Sequence, residues 1–189
     1  MSYNLSDSYK DDILGKIEDY GTKNNRVADV MNLDMKESGV QRAVDYYSQK
    51  VRGYNDISFK YDAISNGSTR GELLPDRSGI KIYDAALEVN GQKDATSLMA
   101  TIDHEHNHFQ FNDKWIAEAK RHNFNDFSQR MIDGKIYRGS GAAFVEASNY
   151  NLGVSQGSQF NYSKNVIKYL ETERDGNLTW QSKIIIQGF

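Results

Sequence analysis

Three stretches near the N-terminus carry apolar residues at helical spacing: Ile13, Leu14, Ile17 and Tyr20 within 7–20, Val27, Val30 and Met31 within 26–35, and Val40, Val44 and Val51 within 38–51. The period then changes. Ile57, Phe59 and Tyr61 alternate and predict a strand over 57–63, followed by a turn cluster at Ser65-Asn66-Gly67-Ser68 and a loop holding Pro75. Alternation returns from Ile80 to Val89, where Ile80 and Ile82, then Ala85, Leu87 and Val89, keep a two-residue period that breaks near Tyr83-Asp84, as a bulge would. Asn90-Gly91 marks a turn, and Asp94 or Thr96 can cap a helix running from about Ala95 to Phe111. Further helices are predicted from Lys114 to Arg121, continuing toward Ile132, and from Ala142 to Asn151, where Gly153 is placed to end the second. Trp180 to Phe189, with Ile184-Ile185-Ile186, reads as a short buried strand. The order of elements predicts an α+β protein with N-terminal helices and a small mixed sheet.

Length and composition narrow this reading. At 189 residues without internal repeats or a linker-like tract, one domain over 1–189 is expected. Hydrophobic residues at 38% and charged residues at 26% describe a polar globular chain. Lys and Arg total 23 against 26 Asp and Glu, so there is no basic field to attract nucleic acid. No run approaches the ~18 apolar residues of a membrane span, and the first residues lack the basic and apolar regions of a signal peptide. That leaves the compartment open, between a cytoplasmic protein and one exported by a dedicated system. With 0 cysteines, disulfides and thiolate metal sites are excluded, and His, Asp and Glu are the available ligands.

All 4 histidines, His104, His106, His108 and His122, fall in one short region. Within it, His104-Glu105-His106-Asn107-His108 satisfies the His-Glu-x-x-His pattern on a predicted helix. Residues four apart share a helix face, so the imidazoles of His104 and His108 can converge on one zinc ion. Glu105 is rotated about 100° from His104, beside the ion without ligating it, where it can take a proton from a zinc-held water and pass it to a leaving amine. Leu98, Ile102 and Phe109 form an apolar stripe whose missing member is Glu105. A carboxylate in that row is expected only where a partner or a function offsets its burial. His106 points off the His104/His108 face and reads as exposed. A surface helix that is merely rich in histidine is the plain alternative to the whole motif.

Two helical histidines leave a site incomplete. Glu146 is the preferred third ligand: it lies between apolar neighbours on a helix where Ala142, Ala143 and Ala147 permit close approach. His122 is the rival, although Lys120 and Arg121 beside it also suit an ordinary exposed residue, while Phe124 and Phe127 after it could begin another packed helix. Asp113 and Glu118 stand behind both. For oxyanion stabilisation Tyr137, Arg138, Tyr150 and Tyr162 lie near enough in sequence, but with 12 tyrosines in the chain any one of them is more readily structural.

His104-Glu105-x-x-His108 followed by a helix carrying Glu146 resembles the gluzincin branch of the zincin metallopeptidases, over roughly residues 78–153. The resemblance implies a zincin-like fold in which the strand before the motif helix, here about Ile80 to Val89, is the cleft edge that takes extended peptide. It implies Zn2+ as cofactor, Glu105 as catalytic base, and His104, His108 and Glu146 as ligands. The branch's Asn-Glu-x-x-x-Asp motif is absent, since Val145 precedes Glu146 and Tyr150 holds the acidic position, which leaves Asn149 to orient the histidines. A downstream His122 is similar instead to the SprT-like pattern, and Lys114 stands where a metzincin would place its third histidine. The implied function is a zinc metalloendopeptidase acting on protein or peptide substrates. The compact size also resembles bacterial toxin or effector metallopeptidases, whose partners include a cognate inhibitor or immunity protein. Against this stands a non-catalytic zincin-fold binding protein with a structural or vestigial zinc site.

Overall fold

A computed structural model describes residues 11, 26–36, 39–63, 69–89, 91–132 and 135–155. The helix expected over 7–20 (apart from residue 11), the turn at 65–68 and the strand expected at 180–189 lie outside these residues. The chain is mixed α+β, as expected, and divides into two compact units, Tyr20–Phe109 and Met1–Asp19 with Gln110–Phe189. Among the described residues no helix is long and apolar enough to cross a membrane.

The unit Tyr20–Phe109 opens with α1 (26–36) and α2 (Val40–Asp45), which widens into a π-helical turn, Tyr46–Val51. Three strands follow: β1 (Phe59–Asp62), β2 (Gly71–Leu73) and β3 (Ile80–Tyr83), in the order β1-β3-β2. β1 runs parallel to β3 and β2 antiparallel to it. β3 is therefore the central strand, not the edge strand that the resemblance implied. The reason is visible in its side chains: Ile80 and Ile82 are fully buried, as befits a strand paired on both sides. The expected bulge at Tyr83-Asp84 is a 3-10 turn, Asp84–Ala86, to which the Tyr61 hydroxyl donates through Asp84. A short hairpin, β4 (Glu88–Val89) and β5 (Gln92–Lys93), leads to α3 (Ala95–Arg121). Of the two residues able to cap that helix, Asp94 does so, accepting from the Thr96 N–H at 2.8 Å and from its hydroxyl. The core joins Met31, Val44 and Tyr47 to Ile80, Ile82, Leu98, Met99 and Ile102, all fully buried. Val30, in the predicted apolar row of α1, is 43% exposed, and Ala28, Met31 and Met35 form the inner face instead.

One polar cluster fastens α3 inside this unit. Asp103, 3% exposed, accepts hydrogen bonds from Tyr47 Oη at 2.7 Å, Arg52 Nε at 3.1 Å, Arg52 Nη2 at 2.8 Å and Tyr54 Oη at 2.9 Å. The π turn delivers these donors: Arg52 N–H closes on Tyr47 O at 2.9 Å and Tyr54 N–H on Ser48 O at 2.8 Å, so the chain leaves the helix with Arg52 and Tyr54 facing Asp103.

The unit containing Gln110–Phe189 holds the C-terminal part of α3, an antiparallel hairpin of β6 (Gln129–Ile132) and β7 (Lys135–Arg138), and α4 (Ser140–Ser155). α3 is continuous where a break was expected near Asn112-Asp113, because buried Trp115 and Ala119 carry its apolar stripe onward. It does stop at Arg121 rather than continuing toward Ile132. Asn123, with φ 62°, is the left-handed residue of a Schellman closure: Phe124 N–H reaches Ala119 O at 2.9 Å and Asn123 N–H reaches Lys120 O at 3.0 Å. Phe124 thereby joins a buried cluster with Ala119, Phe144 and Ala147, against which Phe127 packs from a loop rather than from a new helix. α4 begins tightly against this loop. A Cβ on Gly141 would lie 2.6 Å from Phe124 O and 2.7 Å from the Phe127 ring, so only glycine fits. The helix passes through Gly153, expected as its end, to Ser155.

Removing the Asp103 carboxylate takes away the acceptor that Tyr47, Arg52 and Tyr54 share. Asp103→Ala is expected to lower stability in urea by about 3 kcal/mol, the low end for breaking a buried ion pair because Arg52 is partly exposed. A second expectation concerns alkaline pH. Burial first, and neighbouring carboxylates second, raise three tyrosines: Tyr54 beside Asp103, Tyr83 beside Glu72, and Tyr61, bonded to Asp84, pushed up to about 12. All stay protonated in both states below the ordinary value of 10.0, so stability is complete there and declines at higher pH as the unfolded chain ionises first. Urea midpoints measured across that range should fall, and Tyr61→Phe should flatten the fall.

Candidate metal centre

The i,i+4 spacing on α3 brings the two motif histidines together. His104 Nε2 and His108 Nε2 are 3.0 Å apart, with the rings edge to face at 78° and centroids 4.6 Å apart. Both side chains are half-buried. Among the described residues, one group of three His or carboxylate side chains converges closely enough to hold a metal ion: His104, His108 and Glu146, with one ligand atom from each all within 4.8 Å of one another. Ligands bonded at ~2.1 Å to a tetrahedral ion are about 3.4 Å apart, so the imidazole pair is already near that spacing. Two neutral nitrogens and a carboxylate are also a donor set that suits a borderline divalent ion.

Glu146 sits on α4 between buried Val145 and Ala147. Two residues tie its helix to the C-terminal part of α3: Trp115 Nε1 donates to Asn149 Oδ1 at 3.1 Å, and Asn149 Nδ2 donates to Asn112 Oδ1 at 3.3 Å. Asn149, expected to orient a histidine, thus has its amide on Trp115 and Asn112. Of the four side chains considered for oxyanion stabilisation, Arg138 reaches Glu146, with Nη2 3.8 Å from Oε2, while Gln129 Oε1 accepts from its Nε at 3.2 Å. Tyr137 alternates to the opposite face of β7 and is 54% exposed. Tyr162 and the Tyr150 side chain lie outside what the structure describes.

His122, the rival ligand, is exposed at the end of α3, where its Nε2 lies 3.3 Å from Glu118 Oε1. Glu118 also pairs with Arg121, and Asp113 is exposed on α3.

Glu105 is 7% exposed, as its place in the apolar stripe anticipated. It lies against β2, where a Cβ on Gly71 would be 2.8 Å from Glu105 Cγ. His106 corrects the reading that made it exposed. It is 3% exposed, stacked on Tyr54 with centroids 3.6 Å apart and planes 7° apart, and its Nε2 lies 3.0 Å from Asp56 Oδ1. The signal was present in the sequence: Met99, Ile102, His106 and Phe109 form a row at helical spacing, and Asp103 lies next to that row. Two polar residues on a buried face require partners, and Arg52-Gly53-Tyr54-Asn55-Asp56 supplies them. That segment was missed because a short polar stretch after a helix carries no pattern of its own.

Compared with protein-family models, curated proteins and solved structures, the chain matches none.

The two ligand choices separate in a metal titration. Glu146→Ala should weaken metal binding by more than the ~10- to 100-fold seen when only an outer partner is lost. His122→Ala should retain the full metal content by elemental analysis.

Proposed function

We propose that this chain is a zinc-dependent metallopeptidase of the zincin type, in which His104, His108 and Glu146 hold the ion and Glu105 is the general base. The observation that carries the reading is the pair of Nε2 atoms 3.0 Å apart on a helix that buries the intervening glutamate. Among the described residues three side chains converge on the site, and a three-ligand site would keep a fourth position for water, as a hydrolytic site requires and a closed structural site does not. That count favours an enzyme over a non-catalytic zincin-fold binding protein.

Zinc held by His104, His108 and Glu146 would supply Lewis-acid chemistry, polarising a scissile carbonyl and lowering the pKa of an attacking water. The remaining work falls to the chain. Glu105 takes a proton from the attacking water as its oxygen joins the carbonyl carbon, then delivers that proton to the amide nitrogen as the C–N bond breaks. Its burial keeps bulk water from competing for the proton. Arg138 supplies a positive charge near Glu146 for the oxygen that becomes negative.

The sheet supplies a place for substrate on β2 rather than β3. Arg70 O accepts from Tyr83 N–H at 2.8 Å and Leu74 N–H donates to Gly79 O at 2.9 Å, so alternation turns the N–H and C=O groups of Gly71 and Leu73 away from β3. An extended protein or peptide substrate adding to that side passes beside Glu105.

Glu105→Gln removes the base and leaves all three ligands. Zinc content should stay at the wild-type level while hydrolysis of fluorescein-labelled casein falls by about 10²- to 10⁴-fold. Normal turnover in this variant would defeat the mechanism.

A further inference from the structure

We infer that Glu72 is a specificity-determining residue of the substrate edge, selecting an extended peptide that carries lysine or arginine at the position opposite it on β2. The inference deepens the peptidase reading and rests on its placing of substrate along β2. A Cβ on Gly71 would lie 2.8 Å from Glu105 Cγ and 3.1 Å from Thr101 Cγ2, so position 71 faces α3 and, by alternation, the Glu72 side chain projects from the opposite face of the sheet. It is exposed there, between the Gly71 and Leu73 backbone groups that turn away from β3, and among the described residues no strand pairs with that side of β2. A strand adding antiparallel would bond to Gly71 and Leu73, which puts its residue opposite Glu72 in the pair without hydrogen bonds, where side chains come closest.

Two features separate Glu72 from an ordinary surface acid. The residue directly opposite on β3 is Lys81, the natural partner for its charge, yet Lys81 Nζ lies 3.5 Å from Asp62 Oδ2 instead. Glu72 is not ion-paired among the described residues, and Arg70, just before β2, donates from Nη1 to Ser97 Oγ on α3 at 3.1 Å. The second feature is orientation. Tyr83, 7% exposed, donates its hydroxyl to Glu72 Oε1, so the carboxylate is held before a ligand arrives and less side-chain freedom is lost on pairing. The local field is negative: after burial, the carboxylates of Glu72, Asp62 and Glu105 all raise that hydroxyl. An ammonium or guanidinium group on the added strand would meet an oriented carboxylate without displacing an existing ion pair.

Digestion of a synthetic library of unstructured peptides by the zinc-loaded protein tests this. Aligned on the bond cut, wild-type cleavage sites should be enriched about 5-fold in lysine and arginine at one position, the ratio expected of an oriented, exposed ion pair. Glu72→Gln, which keeps an acceptor for Tyr83, should abolish the enrichment, and Glu72→Lys should turn it toward aspartate and glutamate. Cleavage without a basic position, or with the same preference in all three proteins, overturns the inference and leaves the peptidase reading intact. Should the wild type cut nothing, that reading fails, and binding decides the inference by itself. Fluorescein-labelled peptides of threonine and valine with a central lysine or a central glutamate are then titrated with the zinc-loaded protein and read by anisotropy. A lysine peptide bound about 5-fold more tightly than the glutamate peptide by the wild type, and equally by Glu72→Gln, supports it. No binding, equal binding by the wild type, or the same preference in both proteins overturns it.

Discussion

The buried carboxylate of Asp103 is the constraint on which the motif helix depends. A charge at 3% exposure is tolerable only when its lone pairs are filled, and here the guanidinium of Arg52 and the hydroxyls of Tyr47 and Tyr54 fill them. Because Asp103 directly precedes His104, fixing it fixes the rotation of α3 about its own axis. His106 is held from the same side by Tyr54 and Asp56, so the even-numbered histidines separate into roles. His106 belongs to the sealed face, while His104 and His108 look out from the other.

The candidate ligands were legible from the sequence because they lie in patterns that a helix enforces. His104 and His108 follow from a spacing of four, and the burial of Glu105 from a gap in the row Leu98, Ile102, Phe109. The α+β character and the helix carrying Glu146 followed from changes of period. What was not legible depended on pairing at long range. That β3 is central and β2 lateral could not be read along the chain, since Gly71-Glu72-Leu73 is too short to show alternation. The burial of His106 was hidden because its partners lie 50 residues away in a stretch that looks like ordinary loop. The end of α3 was misjudged for a local reason: Asn123 takes the left-handed position more often held by glycine.

The unit containing α4 shows how small residues replace large ones as determinants of geometry. Gly141 lets the start of the helix lie against Phe124 and Phe127, and Ala143 and Ala147 are buried beside Phe144. Asn149 then sets the register through Trp115 and Asn112. Glu146 therefore projects from a helix whose position along α3 is determined by contacts on either side of it in sequence. Arg138, at the end of β7, completes the charge balance around that carboxylate.

The π turn at Tyr46–Val51 has a consequence for how this chain can vary in length. A π turn accommodates one more residue than an α turn over the same rise, and here the extra residue is what allows Tyr47 and Arg52, five apart, to meet on one carboxylate. Between Val44 and Tyr54 the chain thus works as a counted spacer. Deleting a single residue there would restore a regular helix and at the same time carry the guanidinium away from its acid. Exposed loops elsewhere can absorb insertions, but this segment is bound to its residue count.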